Sequence, residues 1–296
     1  MLSRRFVMGA GAAAAGVAAC GGRGRANVGS RQLKTLGLQT YSLREIFEPD
    51  PVGTLTMLKE LGYDYVELND RNFAERSAED LHLMVKDAGL TSPGSHYGLS
   101  SIQNDFSTVV KNAKALDVNY VIVPWLDENM RNVEGYTALA KTLNERGRQA
   151  REAGFSLGYH NHQFEFDVLS TGKTGYDILL DQTDPEIVDF QLDLFWARLA
   201  QQDISKLFSA HPGRFKMCHI KDMKGDPAAY RNSTDYGGIV QALMVNVGEG
   251  DIPFEDYFAL NDLSGMEYFV IEHDSPPKPF RASMKQSIDD VRAMRF

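Results

Sequence analysis

Eight short apolar runs, rich in β-branched and aromatic residues, recur from Leu36 onward, each followed by a longer amphipathic stretch. The runs are 36–43, 63–68, 91–98, 120–125, 156–162, 188–195, 215–222 and 267–274. The intervening pattern predicts helices over 52–61, 78–88, 106–116, 133–153, 174–182, 204–211, 254–260 and 283–294. Gly62, Gly89 and Gly154 directly follow three of these stretches, as expected where a left-handed residue stops a helix. Strands that alternate with helices build a parallel sheet. The repeat averages about 33 residues, the range of a (β/α)8 barrel. An open doubly wound sheet is the competing arrangement, but it ordinarily carries a glycine-rich phosphate turn after its first strand. Tyr41-Ser42-Leu43-Arg44 stands there instead. The expected fold class is α/β, a single (β/α)8 TIM barrel over 36–296.

Composition removes several functional classes. With 43% hydrophobic and 24% charged residues, the chain can bury a core of ordinary globular kind. Beyond the first twenty residues no apolar run approaches the roughly 18 needed to span a bilayer. Thirty-one Lys and Arg against 40 Asp and Glu give a net charge of -9, which disfavours nucleic acid as a partner. Arg23, Arg25, Arg31 and Lys34 form a basic cluster in a glycine-rich stretch, read as a solvated linker. Cys20 and Cys218 are the only cysteines, too few for a disulfide framework or a zinc knuckle.

Residues 1–20, MLSRRFVMGAGAAAAGVAAC, read as an export signal. Arg4-Arg5 after Ser3 resembles a twin-arginine signal, although Phe6 comes one place early, so the ordinary secretory route stays open. Val17-Ala18-Ala19-Cys20 resembles a bacterial lipobox, and the flexible run GGRGRANVGS follows it. The expected organisation is an export signal over 1–19, a tether over 20–35 and the barrel. Cys20 is expected to carry lipid as the first mature residue. The protein would then be periplasmic or anchored to the outer membrane, touching lipid only through Cys20.

Polar residues gather where the predicted strands end. Glu67 and Asn69 close the second, His96 the third, Trp125 the fourth, His160 and His162 the fifth, and Asp193 the sixth. His219 and Lys221 close the seventh, and Glu272 and Asp274 the eighth. Alternation puts each pair on one face. Strands of a parallel barrel are buried on both faces, so such residues are costly without partners. Each taken alone could be a satisfied structural residue. Asp193, His219 and Glu272 close three consecutive strands, however, and a barrel converges them at one mouth. A divalent metal accounts for that convergence, since carboxylates and neutral imidazole are ready ligands.

The ordered set GLQTYSLR, GYDYVEL, YHNHQFEF, FQLDLFW, CHIKD, VGEGDIPF and FVIEHD resembles the xylose-isomerase-like barrels, which include sugar phosphate isomerases/epimerases. The resemblance runs from about Leu36 to the C-terminus. It implies that Asp193, His219 and Glu272 are three of four ligands to one divalent ion, manganese favoured over magnesium, cobalt or zinc. In many relatives the fourth ligand is a Glu in a Glu-Asn-His run ending the fifth strand. Here the run is His160-Asn161-His162, so His160 takes that place unless Glu165 swings in, and Glu165 is also a candidate catalytic residue beside Glu272 and Lys221. In epimerases of this family two metal-bound glutamates flank the sugar. Only Glu272 is matched, and a one-base isomerisation or β-elimination needs no second.

The leading expectation is an exported metal-dependent sugar isomerase/epimerase with an enediolate intermediate and Glu272 as base. The alternatives are a β-eliminating lyase on a keto-sugar or keto-glycoside and a non-catalytic sugar-binding lipoprotein. Phosphodiester cleavage is disfavoured by charge and by export. Lys221 is read as stabilising an enolate oxygen or as an ion pair with Asp222 or a neighbour. His96, Trp125 and His162 are read as lining a sugar pocket, Trp125 alternatively as rim packing. Glu67 is read as orienting a ligand or pairing with Lys221 or Arg44. Homo-oligomerisation stays open.

Overall fold

A computed structural model describes residues 29–73 and 75–296. Eight parallel strands close into a barrel: β1 (Gly37–Gln39), β2 (Tyr65–Asn69), β3 (Thr91–His96), β4 (Tyr120–Val123), β5 (Ser156–His160), β6 (Val188–Asp193), β7 (Phe215–Ile220) and β10 (Tyr268–Ile271). Pairing of β1 with β10 completes the ring. The short strands β8 (Asp222–Met223) and β9 (Met244–Val245) form an antiparallel ribbon beyond β7. The closed (β/α)8 barrel is thus the fold class that the spacing predicts.

Period-two alternation sorts the strand residues into two environments. Outward residues such as Leu38, Val66, Val121, Leu157, Phe190 and Ile271 join the main core between sheet and helices. Inward residues stack in layers. The lowest layer holds Tyr65, Tyr120 and Tyr268, with ring centroids 6.0 and 5.5 Å apart in edge-on pairs. Ile122 and Met217 pack above it. Gly37 makes this filling possible, because a Cβ there would lie 2.1 Å from the Tyr65 ring. Above the apolar plug come Glu67, His96, His160, Gln191 and His219.

The helices end as expected, with Gly62, Gly89 and Gly154 at φ of 96°, 76° and 100°. Phe106–Leu116 and Val133–Ala153 have the expected bounds. Every strand is shorter than its apolar run, and at two of them a helix takes over where the run continues. After β1 the chain turns into a 3-10 helix, Thr40–Leu43. After β6 the Asp193 side chain accepts the Trp196 N–H and starts the helix Leu194–Leu199, an N-cap that overrides the apolar pattern. The helices Leu99–Asn104 and Tyr236–Leu243 were not expected.

The expected leader and Cys20 lie outside the described residues. The last part of the expected tether does not behave as a tether. Arg31 exchanges backbone hydrogen bonds with Phe296 at 3.0 and 3.2 Å, Gln32 bonds the Arg292 carbonyl, and Leu33 is buried. Backbone pairing and one apolar anchor outweigh the polar, glycine-rich composition there. No helix among the described residues is long and apolar enough to cross a membrane.

Gly37→Ala is expected to destabilise the barrel by about 1–3 kcal/mol through overpacking against Tyr65, measured as a shift in denaturation midpoint. A change below about 0.5 kcal/mol, the scale of a neutral surface substitution, would mean that the lower layer yields freely.

Candidate active site

The strand ends converge on a cavity of about 510 Å³ at the C-terminal mouth of the barrel. Asn69, His96, Trp125, His160, His162, Lys221, Glu272 and Asp274 line it, drawn from six strand ends. Register explains the convergence: Asp193 is the β6 partner of His219, and Gln191 is the β6 partner of His160.

Glu67 sits beneath the cavity, fully enclosed. Its carboxylate accepts from Gln39 Nε2 at 2.7 Å, Gln191 Nε2 at 2.6 Å and His219 Nε2 at 2.7 Å, with His96 Nε2 at 3.0 Å. Burial opposes its charge, but the adjoining His96 and His219 hold its pKa well below the usual carboxylate range. It pairs with neither Lys221 nor Arg44. Arg44 bonds the carbonyls of Tyr41 and Asp274 instead.

This arrangement fixes the state of the histidines. Gln191 donates its amide to Glu67, so its Oε1 must accept from His160 Nδ1 at 2.9 Å and His96 Nε2 at 2.8 Å. His160 therefore carries its proton on Nδ1, and its Nε2 lone pair lies 3.7 Å from Asp193 Oδ2. Burial, with His219 next in effect, pushes its pKa well down, so the ring is neutral. His219 differs. Its Nε2 meets Glu67 and its Nδ1 meets Glu272 Oε2 at 2.7 Å. Although burial opposes it, Glu67 and Glu272 push its pKa up to about 10.

Lys221 lies 2.8 Å from Glu272 Oε2, 3.0 Å from Asp274 Oδ1 and 3.1 Å from Asp193 Oδ2. The ion-pair alternative for Lys221 is the one supported, with partners other than Asp222. Asp222 points away and accepts the backbone N–H groups of Met223, Gly248, Gly250 and Ile252. It thereby ties down the VGEGD loop. At Gly250 a Cβ would lie 2.3 Å from Asp222 Oδ1.

Among the described residues, two buried groups have ligand-type atoms within 4.8 Å of one another: Asp193, His219 and Glu272, and His96, His160 and His219. The all-histidine group is a poor cation site, since His96 and His219 turn Nε2 protons toward Glu67. The mixed group fits a divalent ion. Asp193 Oδ2 is buried and, beyond its ion pair with Lys221, accepts no hydrogen bond, and the His160 Nε2 lone pair lies beside it, available to a cation. His219 can give Nδ1 while Nε2–H stays on Glu67, the carboxylate support common to metal-bound histidines. Glu67, Asp193, Glu272 and Asp274 outnumber the cations Lys221 and His219, an imbalance a divalent ion reduces.

Glu165 is not in the cavity. It accepts Tyr159 OH at 2.7 Å and the His162 N–H at 2.8 Å on the outer side of β5. Burial pushes its pKa up to about 7. The expectation that it swings in as ligand or catalytic residue is corrected: Tyr159 faces out of the barrel and holds it there. Its hydrogen bond instead braces the backbone of His162. The His162 ring stacks on Phe164 with centroids 5.6 Å apart and meets Trp125 edge-on at 4.8 Å. Arg131 lies 3.5 Å over Phe164 and 4.7 Å over Trp125 and donates to Tyr236 OH. Trp125 thus serves both the cavity wall and rim packing.

Sequence reasoning missed Gln39, Gln191, Arg131 and Tyr236. Alternation could have found Gln191, two residues before Asp193 on the same inward face. Arg131 and Tyr236 come from loops with no local pattern.

A cation at Asp193, His219 and Glu272 must displace the Nδ1 proton of His219. Binding of Mn2+ near pH 7.5 is therefore expected to release about one proton, measured by calorimetry in buffers of different ionisation enthalpy. Because the His219 pKa is raised to about 10, apparent affinity should climb as pH rises toward that value. Pairing without proton release would exclude His219 as a ligand.

Residues 55–293 match the family model for xylose isomerase-like TIM barrels. The chain is 29% identical over 150 residues to an inosose dehydratase of Clostridium perfringens, covering 49% of this chain and 50% of that one. It thus spans about half the length of the curated relatives it matches. The fold is similar to that of a sugar phosphate isomerase/epimerase from Parabacteroides distasonis, with TM-score 0.71 and 25% identity over 88% of this chain and 94% of that one. It is also similar to the zinc-bound IOLI protein, with TM-score 0.68 and 18% identity over 89% and 99% of the two chains. By the family match, which takes in most of the barrel, the chain belongs to the xylose isomerase-like TIM barrel family.

Proposed function

We propose that this protein is a metal-dependent lyase that removes a β-oxygen substituent from a keto-sugar. The observation that carries the reading is Glu272, a cavity carboxylate with one oxygen free and no second glutamate facing it from the β5 end. Glu272 lines the cavity with both protein partners on Oε2, leaving Oε1 without a protein donor among the described residues. The β5 end offers His160 in place of a second carboxylate, and Glu165 faces the other way. One base is enough for elimination next to a carbonyl. The similarity to inosose dehydratases supports the same choice, because dehydration of a polyhydroxylated ketone is such an elimination.

Glu272 removes the carbon-bound proton next to the carbonyl. Lys221 holds Glu272, Asp193 and Asp274 in fixed relation and offsets part of their charge. Trp125 and His162 give the sugar an apolar wall, while Asn69 and His96 offer polar contacts. A divalent cation held by Asp193, His219, Glu272 and His160 would supply Lewis-acid polarisation of the substrate carbonyl. The proton taken from carbon ends on the departing oxygen, so no other reactant is consumed.

Isomerisation or epimerisation, the leading expectation from the sequence, becomes the second reading. The 25% likeness to the Parabacteroides distasonis protein favours it. Both reactions share proton removal and differ in product. A purely sugar-binding protein gives no reason for the convergence of cation ligands beside an unpartnered carboxylate oxygen.

Incubation with an inosose or a keto-hexose in deuterated water is expected to give an unsaturated or dehydrated product, with deuterium entering recovered substrate. Glu272→Gln should lower turnover at least about 100-fold, the scale of general-base catalysis, while thermal unfolding stays cooperative. Full turnover by that variant would remove Glu272 as base, and inverted stereochemistry without elimination would move the assignment to epimerase. Export and lipid anchorage belong to the proposal as well. Cys20→Ser is expected to shift the protein from the membrane to the soluble fraction, and an already soluble wild type would overturn the anchor.

A further inference from the structure

A second cavity, of about 770 Å³, adjoins the first at the rim. Tyr41, Tyr236 and Asp274 line both, so these three side chains form the partition between them. The volume lies in the range of small-molecule sites, roughly 300–1,000 Å³.

Two observations mark the second cavity as a binding site. The first is His273, which lines it and is 5% exposed. Its Nδ1 accepts the Ser275 N–H at 3.1 Å, so the ring proton sits on Nε2, and that buried donor has no hydrogen-bond partner. A buried unpaired donor is costly unless something completes it. The second is the rigidity of the partition. Arg44 lies 4.2 Å over the Tyr41 ring and bonds the carbonyls of both Tyr41 and Asp274 at 2.9 Å. The loop after β1 is thereby stapled to the loop after β10. Gln241 adds an exposed amide on the far wall.

We propose that this cavity is a leaving-group subsite that takes a hydroxylated ring, so that the substrate is a keto-glycoside rather than a free keto-sugar. The inference rests on the lyase reading and names its substrate class. Elimination of a glycosidic oxygen at C1 takes the proton from C2 and needs the carbonyl at C3. The C2–H and C1–O bonds break, a C1=C2 double bond forms, and the proton ends on the departing oxygen. With the keto ring in the first cavity, the departing ring crosses the Tyr41 and Tyr236 partition, and one of its hydroxyl groups accepts from His273 Nε2. A ring there uses a donor that otherwise goes unmet.

The test measures calorimetric binding to the Glu272→Gln protein in the presence of Mn2+. The probes are methyl 3-keto-glucoside and a disaccharide whose glycosyl ring is 3-keto-glucose. The disaccharide is expected to bind about tenfold more tightly. Gln241→Trp, which fills the cavity from an exposed position, should bring that ratio below about twofold, as should His273→Phe, which keeps the bulk and removes the donor. Equal affinity for the two probes, or a ratio untouched by both substitutions, would overturn the subsite. Turnover by the wild-type protein judges the lyase reading separately. If both probes survive intact while the disaccharide preference persists, the subsite stands and elimination falls.

Discussion

A carboxylate buried at the centre of a barrel is intolerable without donors, and the upper half of this structure is arranged around supplying them to Glu67. An isolated buried ion costs several kcal/mol even after relaxation, whereas each hydrogen bond to a charged group returns roughly 1.5–3 kcal/mol. Donors from β1, β3, β6 and β7 meet that one side chain. Its position therefore ties together strands that are not neighbours in the sheet. The same network settles proton positions one step farther out, because a Gln191 amide committed to Glu67 leaves only an acceptor for His160.

The architecture separates stability from chemistry by height. Tyrosine, isoleucine and methionine fill the lower barrel and leave it no room to change. Ionisable groups occupy the upper layer, where the strands open toward water. The loops are fixed by similar economy. Asp222 gathers four backbone N–H groups from its own ribbon and the VGEGD segment, and Glu165 braces the backbone of the residue that carries the His162 ring.

Much of this was legible in the sequence because a parallel barrel obeys two periodicities at once. The repeat of strand and helix gave the fold, and alternation within strands put Glu67, His160, His219 and Glu272 on one interior face. What escaped was whatever depends on partners far apart in the chain. Gln39 and Gln191 carry no charge to flag them, and their role exists only because Glu67 lies between them. Glu165 was misplaced because the chain leaves strand geometry after His160 and enters the 3-10 turn Phe164–Phe166, where alternation no longer reports direction. The segment 31–35 looked like linker because its anchors, Phe296 and Arg292, lie at the opposite end of the sequence.

That last pairing fixes where the described chain enters the barrel. The strap that holds Arg31 to Phe296 runs into the start of β1, so it sits at the floor of the barrel, and the cavity opens at the roof. Any attachment made through residues ahead of Gly29 therefore grips the protein from below. The cavity and the end of the chain that leads into β1 thus lie at opposite poles of the barrel.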